Sequence, residues 1–322
     1  IIIEKKNEVY ITIDCESDIQ REISEFFTFY VPGYKFMPAF RTRMWDGKIR
    51  LFSQKTKEIY YGLFPYIKAF AEERGYNIVA DKNVEIDNKV DKETVTKFSN
   101  SLGQKFEARD YQIDAIYHSL KFNRALLLSP TASGKSFIIY ALIRYYSHLI
   151  KDESNNRTLL IVPTTSLVEQ MYSDFESYGW NVKKNCHRLY SGYSNQTDKK
   201  VLISTWQSLY KLPKKYFEQF GAVFGDEAHL FKSKSLTEIM TKLEDCKYRI
   251  GLTGTLDGAQ THKLVLEGLF GAVNKVTSTR KLMDKKQLSN LVVRCLILKH
   301  TVENSKMVAS GKYQDEIDYL VT

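Results

Sequence analysis

The sequence predicts an α/β protein: a parallel sheet with helices on both faces, preceded by a small mixed α/β domain. Three observations predict it. From about Phe106, short apolar segments ("RALLLSP", "TLLIVP", "KVLISTW", "GAVFGDE", "YRIGLTGT") alternate with longer amphipathic ones ("GKSFIIYALIRYYSHL", "TSLVEQMYSDFESYG"). Such alternation builds a parallel sheet, because each crossover helix returns the chain to the same sheet edge. Ahead of Phe106 the elements are shorter and mixed, and the polar stretch Asp81–Ser101 reads as the linker between the two textures. The length of 322 residues suits about two domains, and 43% apolar residues suffice for ordinary cores.

Taken in order, Glu8–Asp14 alternates as a strand does, and "SDIQREISEFF" places Ile19, Ile23 and Phe26 on one helix face. Asp46-Gly47 within "RMWDGKIRLF" predicts a tight hairpin. "EIYYGLF" reads as a strand, "PYIKAFAEERG" as a helix opened by Pro65 and closed by Gly75, and "YNIVAD" as a further strand. The expected domains are residues 1–95, 96–272 and 273–322.

Composition narrows the function. A formal charge of +9 suits a polyanionic partner, although many basic proteins bind no nucleic acid. The four cysteines are far apart with no Cys-x-x-Cys pair, which argues against a disulfide framework or a zinc site and for a reducing cytoplasm. Apolar runs such as Ala125–Leu128 and Leu159–Val162 fall far short of the roughly 20 residues a membrane span needs. In "IIIEKK" three apolar residues are followed by charge, so no signal peptide is read there, and no membrane partner is expected.

Two stretches carry chemistry. "SPTASGKS", Ser129–Ser136, fits the phosphate-loop pattern G-x-x-x-x-G-K-[ST] except at its first position, where glycine would ease the turn without making a contact that serine forbids. The loop lies between a strand, Arg124–Leu128, and a helix beginning at Gly134, a geometry that aims backbone N–H groups at an anion. Lys135 can reach terminal phosphates and the Ser136 hydroxyl can coordinate Mg²⁺. The alternative is a serine-rich turn with an incidental lysine. In "GAVFGDEAHL" an apolar strand leads into Asp226 and Glu227, at the same sheet edge. Asp226 is placed to hold Mg²⁺ through water, and Glu227 to orient and deprotonate an attacking water. The alternative is a helix N-terminus with acids in its first turn.

Asp226-Glu227-Ala228-His229 is a DEAH box, and with the loop it resembles the superfamily 2 helicases and translocases. Four further segments follow the order of that superfamily. "FEARDYQIDAI" resembles its adenine-reading segment through Arg109 and Gln112. "IVPTTSLVEQ" resembles the motif that touches the nucleic-acid backbone through Pro163, Thr164 and Thr165. "LISTWQSL" resembles a later strand-contacting motif through Ser204 and Thr205. "GLTGTL" resembles the coupling motif through Thr253, Gly254 and Thr255, with His229 sharing that coupling role. The resemblance implies a RecA-like P-loop fold, with ATP and Mg²⁺ held by Ser129, Pro130, Thr131, Ala132, Ser133, Gly134, Lys135, Ser136 and Asp226. Lys135 and Glu227 would be catalytic. Ala132 departs from the glycine frequent there. The first domain, "GYKFMPAFRTRMWDGKIRLF", resembles that of the phage UvsW-type recombination and repair helicases. This implies ATP-driven work in the host-cell cytoplasm on branched, forked and single-stranded DNA and on RNA–DNA hybrids: junction migration, fork regression and R-loop unwinding. A translocase that moves on duplex DNA without separating strands, or a non-catalytic nucleic-acid-binding module, remain alternatives. Nothing in the sequence points to an oligomeric state.

Residues 31–50 hold Lys35, Arg41, Arg43, Lys48 and Arg50 against Asp46 alone, interleaved with Tyr34, Phe36, Phe40 and Trp45. Cations there can take phosphates, and exposed aromatics can stack on unpaired bases. Arg41, Arg43, Trp45, Lys48 and Arg50 are the candidates for DNA contact; Trp45, beside the turn, is expected to be exposed, while Phe36 and Phe40 suit a core at least as well. "NKVD" (Asn88–Asp91) imitates a guanine-reading motif but precedes the phosphate loop, so it is read as coincidence. After Thr255 no Q-x-x-G-R-x-x-R segment supplies arginine fingers; only Arg280 and Arg294 follow. Thr277–His300 is expected to be the linker and opening strand of a second motor domain, which needs roughly 150 residues more. The chain is therefore expected to be a fragment that binds ATP and hydrolyses it poorly.

Overall fold

Residues 1–256 and 258–289, with Arg294, Cys295 and Gln314, are described by the computed structural model. The opening isoleucines form β1 (Ile2–Lys5), antiparallel to β2 (Tyr10–Asp14), so that Ile3, Ile11 and Ile13 all turn inward. β2 starts later than the alternation suggested because the Asn7 side chain accepts the amides of Val9 and Tyr10 in a turn. α1 (Ser17–Phe26) buries Ile23. β3 (Thr28–Tyr30), α2 (Pro38–Arg41) and β4 (Lys48–Arg50) follow, then β5 (Glu58–Tyr60), α3 (Phe64–Arg74) and β6 (Val79–Ala80). The first sheet has the order β5-β2-β1-β6, and β3 pairs with β4 in a separate ribbon.

Two expectations are corrected here. No tight hairpin forms at Asp46-Gly47: β4 pairs with β3, not with Arg43–Trp45. Arg43 adopts φ +58°, and the amides of Met44 and Trp45 both donate to Ala39 O, so the chain before Asp46 folds back on α2 instead of extending. Nor is Asp81–Ser101 an open linker. It contains α4 (Lys92–Asn100), capped by the Asp91 carboxylate on Thr94 N–H, and it buries Val84 and Val95. α4 runs through the boundary expected at residue 95. Its one inward face is hidden by a polar sequence. Asn88 fastens the same stretch to the next helix, donating to Leu120 O and Asn123 Oδ1.

The second unit runs α5 (Asp110–Phe122), β7 (Arg124–Leu128), α6 (Lys135–Leu149), β8 (Arg157–Val162), α7 (Thr165–Ser177), β9 (Cys186–Leu189), β10 (Val201–Thr205), β11 (Phe220–Gly225), β12 (Tyr248–Thr253) and β13 (Val273–Lys275). The sheet has seven strands in the order β13-β7-β12-β11-β8-β10-β9, all paired in parallel. Every residue of β11 and β12 is buried, as strands covered on both faces require. β13 pairs with β7 and so carries the sheet past residue 272, where the sequence placed its end. The expected opening strand of a second motor domain lies outside the described residues. Among the described residues no helix is long and apolar enough to cross a membrane.

The two units share one core: Ile3, Phe27 and Tyr61 of the first belong to the same buried cluster as Leu126, Leu159 and Ile161 of the second. Specific contacts fix their orientation. Tyr66 OH donates to Glu267 Oε2 at 2.7 Å, and Glu8 N–H donates to Glu244 O at 2.8 Å. The buried Arg124 lies 4.4 Å over the Tyr61 ring and donates to Glu8 O. Behind it, fully buried Arg249 donates to the carbonyls of Leu269, Leu243 and Met240; burial, and then Arg124, pull its pKa down to about 9. Gly62 makes the closest approach, since a Cβ there would lie 2.0 Å from Glu267 O. Gly62→Ala is therefore expected to destabilise the chain by about 1–3 kcal/mol in a urea titration. An unchanged midpoint would mean that the units are not packed as described.

Candidate functional site

β7 is followed in the sheet by β12 and then β11, so the loop after β7, the Thr253–Thr255 turn after β12 and the acids after β11 emerge side by side at one carboxyl edge. Ligands of parallel α/β sheets bind at that edge. The loop turns through two left-handed residues, Ala132 at φ +62° and Gly134 at φ +79°. For Ala132 that conformation costs about 1–2 kcal/mol, so the loop must be held from outside. The holds are visible. Ser129 N–H donates to Thr253 O at 2.8 Å, and the Ser129 and Ser133 hydroxyls meet at 2.7 Å. Ser129 thus ties the loop across itself, which the glycine of the common pattern cannot do.

Buried Gln112 donates through Nε2 to Ser133 O at 3.0 Å and accepts from Arg109 N–H; Tyr111 OH donates to the same carbonyl at 3.1 Å. A Cβ on Gly134 would come within 2.3 Å of that Gln112 nitrogen. Gln112 is therefore a bracket of the loop, with exposed Arg109 beside it, donating to Tyr111 OH. Thr131 and Ala132 face solvent and Pro130 is half-buried, so the loop is open on its outer side.

Lys135 Nζ lies 3.6 Å from Glu227 Oε1, and Gly254 lies beside the same ammonium, where a Cβ would be 3.6 Å away. The sequence-predicted lysine and acidic pair are thus brought together. Glu227 takes φ +49°, a strained conformation for a residue with a side chain. Asp226 is 4% exposed, its N–H held by Ile161 O, and its Oδ1 is buried without a hydrogen-bond partner. Burial pushes its carboxyl above the usual aspartate range; the Glu227 N–H pulls down, the Glu227 charge pushes up, and Lys135 and His229 pull down without cancelling the burial. An orphaned, buried carboxylate oxygen beside a phosphate loop fits one ligand of a divalent cation whose other ligands come from phosphates and water.

The coupling residues also converge. His229 Nδ1 lies 2.9 Å from Thr253 Oγ1, and that hydroxyl donates to Thr255 O at 2.9 Å. With its one proton committed to Thr255, Thr253 accepts from His229, which places a proton on Nδ1. Glu227 Oε2 lies 3.4 Å from the same nitrogen. His229 therefore links the acid couplet to the turn after β12.

Other expectations fare differently. Ser136 does not rest as an open ligand: its hydroxyl meets Tyr178 OH at 2.9 Å. Tyr178 and Tyr111 are the two residues of this site that the sequence motifs did not single out; Tyr111 adjoins Gln112, but "FESYG" carries no signal. Pro163 is half-buried, and Thr164 and Thr165 are exposed at the end of β8, with Thr164 capping α7. Ser204 and Thr205, expected at a nucleic-acid strand, are both buried. Ser204 Oγ is directed at Leu189 O and Thr205 O, and Thr205 Oγ1 meets Ser208 Oγ.

In the basic segment, Arg41 and Arg43 are exposed, Lys48 lies 5.0 Å over the Tyr30 ring, and Arg50 pairs with Asp46. The aromatic expectation is reversed. Trp45 is half-buried with its indole N–H on Lys48 O at 2.9 Å, whereas Phe36 is 77% exposed. The reason is the missing hairpin: the chain folds back on α2 and turns Trp45 inward.

A carboxyl whose pKa is raised by folding stabilises the protein below the ordinary aspartate range and loses that contribution as pH rises through the raised value. Ionised Asp226 therefore destabilises the nucleotide-free protein at neutral pH. Asp226→Asn is expected to stabilise it there by about 1–3 kcal/mol, with the gain shrinking as pH falls into the acid range. Urea titrations at neutral and acidic pH check this; a destabilised Asn variant at neutral pH would contradict it.

Comparison with known proteins agrees in two parts. A family model described as type III restriction enzyme, res subunit, matches residues 105–258, and one described as DNA helicase UvsW, N-terminal, matches residues 1–81. The ATP-dependent DNA helicase uvsW of Enterobacteria phage T4 is 34% identical over 317 residues, 96% of this chain and 62% of that relative. The DNA 3'-5' translocase XPB2 of Sulfurisphaera tokodaii is 27% identical over 155 residues, 47% of this chain and 31% of that relative. A crystal structure of the UvsW helicase from bacteriophage T4 superposes with a TM-score of 0.77 at 33% identity, covering 85% of this chain and 99% of that one. A second T4 UvsW structure gives 0.78 at 31% identity, covering 99% of this chain and 64% of that one. The chain spans less than two thirds of the longer relatives.

Proposed function

Because the chain belongs to the UvsW helicase family, we propose that it carries the ATP-binding half of a DNA helicase motor that remodels branched DNA in the cytoplasm. Junction migration, fork regression and unwinding of RNA–DNA hybrids are the work this reading assigns to it. One observation carries the proposal: Lys135, Glu227 and the orphaned Asp226 carboxylate gather at the mouth of the serine-tied loop.

The residues divide the chemistry among them. Loop N–H groups and the start of α6 cradle the phosphates, and Lys135 neutralises the terminal ones. Asp226 and Ser136, the latter released from Tyr178, would hold Mg²⁺, which supplies charge neutralisation on the phosphates when bound. Glu227 orients the attacking water, and its carboxylate takes the proton as the new oxygen–phosphorus bond forms and the bond from the γ-phosphorus to the bridging oxygen breaks, with ADP as the leaving group. The resting Lys135–Glu227 pair keeps both groups at the site before nucleotide arrives. Through His229, a change at Glu227 reaches Thr253 and Thr255, and the half-buried Pro163 with the exposed Thr164 and Thr165 meets the nucleic-acid backbone at the same edge.

Removing the Lys135 charge-assisted bonds is worth roughly 1.5–3 kcal/mol, so Lys135→Ala is expected to weaken Mg·ATP binding about 10- to 150-fold by calorimetry. Glu227→Gln in the full-length protein is expected to keep that binding and lower DNA-stimulated hydrolysis about 10²- to 10⁴-fold. Equal loss of binding in both variants would contradict the division of roles, and unaltered hydrolysis in the Lys135 variant would remove the site altogether.

A further inference from the structure

The segment between β3 and β4 is a built knob. Val31 N–H donates to Gly47 O and closes its neck, while Tyr34, Met37, Phe40 and Met44 amides find partners within it. Inside, Tyr34 stacks on Tyr30 at 4.6 Å and meets Phe40 edge-on at 4.8 Å. A pocket of about 550 Å³ opens on the knob, lined by Lys35, Arg41, Arg43 and Asp46 together with Phe40, Met44 and Trp45. Among the described residues none of these three cations pairs with a carboxylate; the one acid, Asp46, is locked to Arg50. Met44 is 84% exposed, as Phe36 on the same knob is 77%.

Unpaired cations around an apolar floor call for a ligand that is anionic at one end and flat and apolar at the other. We propose that this pocket takes an unpaired nucleotide at the branch point of DNA. The phosphates lie on Lys35, Arg41 and Arg43, and the base lies against Met44 and Trp45, with Phe36 as a second apolar face. In duplex the bases are paired and their faces covered by their neighbours, whereas a branch point offers an unpaired base. The knob is thus the element that distinguishes a fork from plain duplex, a role separate from ATP binding and from Pro163–Thr165. This inference rests on the DNA-binding reading above.

The test measures binding of the chain by fluorescence anisotropy to a fork with 2-aminopurine at the junction, to the matching blunt duplex and to an acidic peptide. Unchanged chain is expected to prefer the fork roughly tenfold, consistent with the stacking of one base, and to raise the 2-aminopurine signal by unstacking it. Phe36→Ala/Met44→Ala alters exposed groups and should fold normally. It is expected to lose the preference and the signal while holding duplex affinity within about twofold. Arg41→Ala and Arg43→Ala are each expected to weaken fork binding and lower its salt slope by about one. A double variant that keeps both preference and signal overturns the proposal, as does tighter binding of the peptide than of the fork. If the chain binds fork and duplex equally, this site alone falls; if it binds no DNA, the DNA-binding reading falls with it.

Discussion

The site depends on one constraint: a parallel sheet delivers the loop after β7 and the acids after β11 to the same edge, with β12 between them. Three consequences follow from that single placement. The Lys135 ammonium meets Glu227, Asp226 is buried with one carboxylate oxygen unpartnered, and Thr253 is positioned to receive His229. The arrangement is held under strain, since Ala132 and Glu227 both adopt left-handed backbone. Such conformations persist only where the surroundings over-determine them. Here the surroundings are Gln112, Tyr111 and the Ser129–Ser133 hydroxyl bridge.

A shared core makes the first unit part of the same rigid problem. Arg124, the first residue of the strand that leads to the phosphate loop, is also the residue that grips Glu8 and Tyr61. Gly62 and Glu267 meet at backbone distance nearby. The basic knob therefore sits on a unit whose core is continuous with that under the phosphate loop.

Much of this was legible in the residues. Strands β7, β8, β11 and β12 stand out because burial on both faces leaves runs that are mostly apolar, and Lys135, Asp226 and Glu227 follow their ends. The loop's missing glycine was also readable as harmless, although not that Ser129 would bridge to Ser133. What sequence could not show was set by tertiary contact. Ser204 matches a strand-contacting pattern yet lies under its neighbours, and Trp45 looked exposed because Asp46-Gly47 imitates a hairpin that Arg43 and Ala39 prevent. α4 was mistaken for linker because a helix with one narrow buried face reads as a polar stretch.

A crystal structure of the chain with Mg²⁺ and a non-hydrolysable ATP analogue tests the central claim most directly. The triphosphate should lie between Lys135 and the Asp226–Glu227 pair, with the Lys135–Glu227 contact opened and the Ser136 hydroxyl turned away from Tyr178. An analogue bound at another surface, with both of those contacts intact, would contradict it.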